Sequence, residues 1–217
     1  MTKPEIIENT KIFVKETLQH AEGGHDWFHI QRVLNIAQHI AKNENVDNFI
    51  VTLGALLHDI ADSKFHNGNE KIGPDKARMF LKEQGVSEEI TDHVVRIIEN
   101  ISFKGGNEEQ EFRSPELDII QDADRLDALG AIGIARTFNY GGFKGRVLYD
   151  PEIKPDLNMS KAVYKASLSP TINHFYEKLL LLKDRMNTQT GRQMAANRHK
   201  FMEEYLAQFN KEWNGEL

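Results

Sequence analysis

The chain contains no cysteine, so it can build no disulfide framework, bind no metal through thiolate and use no cysteine nucleophile. That absence is compatible with a reducing, cytoplasmic compartment. A run of about eighteen apolar residues, the least a membrane span needs, occurs nowhere, and no membrane partner is expected. The opening MTKPEIIENTKIFVKETLQH is charged throughout, so no signal peptide is expected either. Alternating β-branched runs long enough for a sheet are also missing, and residues 146–149 suit at most a short extended piece. Positive charge is in deficit: 27 Lys and Arg stand against 33 Asp and Glu, a formal charge of −6. With a pI near 5.9, a broad nucleic-acid-binding face is not expected, although a local basic pocket can still hold phosphates.

What is present points to helices. Forty per cent hydrophobic residues, with 12 Phe, 5 Tyr and 2 Trp, can fill a core and exclude global disorder. Ile6, Phe13, Val14 and Leu18 open a helical spacing that Phe28, Val33, Leu34, Ala37, Ile40 and Ala41 repeat. Residues 49–60, FIVTLGALLHDI, are apolar nearly all round, as a buried central helix should be. Further helices are expected at 76–84, 88–101, 115–138, 170–186 and 192–213, with Ser114-Pro115 and Ser169-Pro170 as starts. The fold class is therefore all-α. Residues 103–113 and 139–159 break both periods with Gly, Pro and charge. The second carries Phe143, Lys144, Arg146 and Tyr149, a mixture suited to a lid over an anionic ligand. No repeat or linker divides the chain, so 1–217 is expected to be one domain, with 160–217 as a C-terminal helical extension.

Of the nine histidines, His20, His39, His93 and His199 sit among polar neighbours and read as surface or satisfied side chains. His58-Asp59 is different, because it interrupts the most apolar helix directly after GALL. A carboxylate there needs a partner, since burying it unpaired costs several kcal/mol. Adjacent helical residues point ~100° apart, so the pair can converge on one ion only near a helix end. In HDWFH, His25 and His29 are four apart, as on one helical face. In QDADRLDALG, Asp122, Asp124 and Asp127 lie among Ile119, Ile120, Leu126 and Leu129. Asp122 and Asp127 read most simply as solvated helix acids, and Asp124 is evenly placed between that and a ligand. Two imidazoles with two carboxylates suit Mn²⁺, Fe²⁺, Co²⁺, Ni²⁺ or Zn²⁺ better than Ca²⁺.

The order His29, His58-Asp59, Asp124 resembles the H…HD…D signature of the HD-domain metal-dependent phosphohydrolase superfamily. The contexts HIQRV, ALLHDIAD and DADRLDALGA match as well, and the likeness spans roughly 23–133. The tail TINHFYEKLLLLKDRMNTQTGR looks like a small bacterial subfamily that includes nucleotide pyrophosphohydrolases. The resemblance implies a compact helical bundle with one divalent ion, Mn²⁺ favoured, held by His29, His58, Asp59 and Asp124 between central helices. Members with two metals carry extra histidines between the doublet and the last Asp. Here only His66 and His93 lie there, and residues 99–103 read ENISF, so one ion is expected.

The implied reaction is hydrolysis of a phosphate ester, with a nucleotide such as a (deoxy)nucleoside triphosphate as substrate, giving monophosphate and pyrophosphate. Phosphomonoesterase, cyclic phosphodiesterase and a non-catalytic nucleotide- or metal-binding signalling module remain alternatives, and a homodimer is open to the chain. Asp62, about one turn past Asp59, is the expected proton-transfer group, because related phosphatases resemble it in an acid at this place. Lys64 is expected to act on the phosphate charge. Arg32, His66, Arg125, His174 and Lys178 are expected substrate contacts. His25 is left between an orienting partner of a ligand, a substrate contact and a residue at a helix start.

Overall fold

The structure is a computed structural model, and it describes residues 1–19, 21, 24–61, 69, 71–101, 112–158 and 168–217. Among these, nine α-helices and one 3-10 helix are formed and no strand. They fall into two compact units, Met1–Ala123 and Asp124–Leu217.

The first unit holds α1 (Lys3–Thr17), α2 (Trp27–Ala41), α3 (Asn48–Leu57), α4 (Ile72–Glu83), α5 (Glu88–Asn100) and most of α6 (Pro115–Asp127). Its centre is α3, in which Phe49 through Leu57 are all buried. Asp47 starts it, its Oδ1 accepting from Phe49 N at 2.7 Å, as an N-cap should. Around it pack α1, α2 and α5. α2 turns the stripe Ile30, Val33, Leu34, Ala37, Ile40 and Ala41 inward. α5 does the same with Thr91, Val94, Val95, Ile97 and Ile98. Gly54 marks a close approach, since a Cβ there would lie 2.5 Å from Ile120 Cδ1 of α6. Ser114 caps α6 as its Ser-Pro start predicts, accepting from Leu117 N at 3.1 Å.

The second unit contains the end of α6, α7 (Gly130–Phe143), α8 (Asn173–Glu177), the 3-10 helix Leu179–Arg185 and α9 (Gln189–Trp213). α7 packs on α9, and the 3-10 helix contacts both α8 and α9. The expected helix 115–138 is thus two helices. Leu129 is extended (φ −116°, ψ 159°), and Gly130 follows at φ +71°, a left-handed conformation that glycine adopts without steric cost. α7 then runs on through 139–143, the first part of the expected lid loop. The expected helix 170–186 is also broken, because Lys178 leaves helical angles (φ −143°, ψ −56°). α8 begins only at Asn173, so Ser169 does not cap it. Its hydroxyl lies 3.0 Å from Glu177 Oε1 instead. Residues 146–149 do not run extended but bend at Leu148, with Thr171 N donating to Val147 O at 2.9 Å and Ile172 N to Leu148 O at 3.1 Å. Among the described residues no helix is long and apolar enough to cross a membrane.

Candidate metal centre

α2 begins at Trp27 because Asp26 caps it, its Oδ1 accepting from His29 N at 2.9 Å. His29 sits in the first turn and is buried, 1% exposed. His25 therefore lies outside the helix, and the expectation of one helical face shared by His25 and His29 is corrected: the intervening aspartate is the cap. Instead His25 Nδ1 meets Asp59 Oδ2 at 2.5 Å.

α3 ends at Leu57, with His58 as its C-cap and Asp59 next along the chain. The doublet thus stands at a helix end, as its convergence requires. His58 Nδ1 lies 2.9 Å from Ala55 O. A carbonyl only accepts, so Nδ1 carries the proton, and in the neutral ring Nε2 is left as the lone-pair nitrogen. The His29 and His58 rings meet edge to face with centroids 5.4 Å apart. One donor atom each from His29, His58 and Asp59 lies within 4.8 Å of the others. Two ligands bound at ~2.1 Å to one ion are separated by about 3–4 Å, so small side-chain shifts close the three on a single cation. Burial pushes the Asp59 carboxyl up, but the hydrogen bond from His25 and the charges of His25, His58 and His29 hold it below the usual carboxylate value. The donor set fits a divalent ion: one anionic oxygen and two imidazoles, one of them with its tautomer fixed by the backbone.

The other expected site residues are placed as follows. Arg32 is half-buried on α2, three residues past His29. Asp124 is half-buried on α6, in the second unit. Asp62, Lys64 and His66 lie outside the described residues. Arg125 Nη1 donates to Arg185 O at 2.5 Å. Lys178 is exposed at the break after α8, and His174 is half-buried. Burial, with the positive charges of Lys178 and Arg146, brings the His174 pKa down to about 3. Two readings change. Asp122 and Asp127 are not solvated helix acids but are 0% and 1% exposed, and Asp127 pairs with Arg136 at 2.7 Å. Their apolar neighbours were the signal. Sequence reasoning also missed the Ala55 carbonyl, although a last-turn carbonyl without an intrahelical partner is the natural acceptor for a C-cap side chain. Arg146, read only as part of a lid, acts electrostatically on His174.

A helical unit that collects an HD doublet from one helix end and a histidine from the first turn of its neighbour matches the HD domain, whose family model covers residues 27–129. The chain belongs to the HD superfamily of metal-dependent phosphohydrolases. It is 38% identical to YpgQ of Bacillus subtilis over 216 residues, covering 96% of this chain and 94% of that protein. Among solved structures it is similar to an HD-superfamily hydrolase of Bacillus thuringiensis, with 47% identity, a TM-score of 0.79 and 98% and 99% of the two chains covered. The structure of B. subtilis YpgQ in complex with ADP is similar too, at 36% identity and a TM-score of 0.78, over 98% and 97% of the chains.

Proposed function

We propose that the protein hydrolyses nucleotides, taking (deoxy)nucleoside triphosphates to the monophosphate and pyrophosphate with one Mn²⁺. The observation that carries this is the cluster of buried His29 and His58 with half-buried Asp59, with its backbone-fixed His58 tautomer. The nucleotide class is supported by the ADP complex of YpgQ. In this reading His29, His58 and Asp59 hold the ion and Asp124 completes the set. A bound divalent ion supplies Lewis acidity toward a phosphoryl oxygen and makes water nucleophilic at neutral pH. The ionised Asp59 contributes the negative charge that attracts a cation. Asp62 takes the proton of the attacking water. Lys64 and Arg32 offset phosphate charge, with His66, Arg125 and Lys178 as further contacts. His174, neutral above about pH 3, serves a phosphate oxygen as a hydrogen-bond donor rather than as a charge.

The test is product analysis. Purified protein is freed of metal, reloaded with Mn²⁺ and given a panel of nucleoside tri-, di- and monophosphates. Metal-dependent pyrophosphate release supports the proposal. Orthophosphate without pyrophosphate would move the attack to a terminal phosphate, and no metal-dependent release from any nucleotide would refute it.

A further inference from the structure

His25 belongs to neither helix that carries the cluster. It precedes the cap of α2, and its Nδ1 reaches Asp59 Oδ2 at 2.5 Å. The two side chains are 25% and 17% exposed, so water competes little for this bond. An ionised carboxylate only accepts, so Nδ1 is the donor. Asp59 lies past the end of α3, in the turn that follows it. Its last side-chain torsion is broad, and a hydrogen bond to one oxygen stops the carboxylate from turning. The segment that supplies this bond also supplies His29, three residues beyond Asp26. One stretch of chain thus delivers a donor and steadies the donor that comes from the other helix. His25 stands outside the cluster of three whose donor atoms approach one another, and its Nδ1 is already committed to Asp59.

We infer that His25 is a positioning residue of the metal centre, holding the Asp59 carboxylate in the orientation that receives the ion. This rests on the metal-site reading above.

The experiment measures Mn²⁺ affinity of the apoprotein by calorimetry, with no substrate present and with circular dichroism as the check on folding. Loss of an outer partner typically weakens metal binding about 10–100-fold, so His25→Ala should do so. His25→Asn and His25→Gln separate a hydrogen bond from bulk. Asparagine carries its amide nitrogen where imidazole has Nδ1, whereas glutamine carries it where imidazole has Nε2. The expected result is near-native affinity for His25→Asn and an alanine-like loss for His25→Gln. Native affinity in His25→Ala, or equal loss in all three variants, would overturn the inference. A parent protein that binds no Mn²⁺ would overturn the metal-site reading itself, and the inference with it.

Discussion

The close approach of α6 to α3 at Gly54 sets a double-mutant cycle whose outcome follows from the geometry. In Gly54→Ala the new methyl would meet Ile120 Cδ1 at 2.5 Å, while the nearest Ile97 methyls lie at an ordinary 3.5 Å. Ile120 is 0% exposed, so its terminal methyl has no solvent to swing into. Overpacking of this kind costs ~1–3 kcal/mol. Alanine in a helix interior returns about 1 kcal/mol relative to glycine, leaving a net loss of ~0–2 kcal/mol. Ile120→Val alone removes the obstructing methyl and should cost ~0.5–1.5 kcal/mol. In the double variant the added methyl takes the vacated space and the helix gain survives, so the pair should stand within about 0.5 kcal/mol of the parent. The coupling is then ~1–3 kcal/mol. Urea unfolding of the four proteins, followed by far-ultraviolet circular dichroism, measures it. Additive effects, or a single Gly54→Ala variant more stable than the parent, would refute the argument that α3 is seated by this contact.

Three further outcomes are expected. His58→Ala and Asp124→Ala should each lose most bound divalent metal and nearly all hydrolysis while keeping their helical spectra; full metal content in either would remove that residue from the ligand set. Asp62→Asn should lower kcat by ~10²–10⁴-fold with metal retained, whereas Lys64→Ala should harm triphosphate turnover more than monophosphate turnover if Lys64 reaches the distal phosphates. Unchanged kinetics would return either residue to the surface. His174 is held neutral down to about pH 3 by burial and by Lys178 and Arg146, so between ~6.5 and ~3 the unfolded chain binds the extra proton. Its contribution to stability is therefore complete above the unfolded value and is lost as pH falls toward the folded one. His174→Gln should flatten this part of the stability–pH curve, and equal slopes for variant and parent would count against the assignment.

Helices were legible where one apolar face continued and failed where that face continued through a break. Leu126, Leu129 and Ile134 are all buried, so the spacing across 115–138 looks unbroken although the backbone reverses conformation at Leu129 and Gly130. Hydrophobic periodicity records which side chains face a core, not whether the axis turns between them. In 139–143 the error ran the other way. Two glycines suggested a loop, yet Gly141 lies inside α7 because Thr171 packs where its side chain would be. The buried Asp127 was hidden for a similar reason. Its partner Arg136 lies beyond the turn, at a separation that has no meaning until the turn is known.

The place of the HD doublet was legible because its chemistry forces its position. Two adjacent ligands diverge on a helix, so an HD doublet behind a strongly apolar helix requires that helix to stop there. α3 does stop at Leu57. Ending the helix also leaves the Ala55 carbonyl available to accept from His58 Nδ1, so one feature both sets Asp59 beyond the helix and fixes the tautomer of its neighbour. What spacing could not supply was the route of His25. HDWFH places two histidines four apart, but its aspartate serves the chain better as a cap than as a first-turn side chain beside the second histidine. Once Asp26 caps α2, His25 must leave the helix axis, and the partner it finds is the carboxylate that the end of α3 has released.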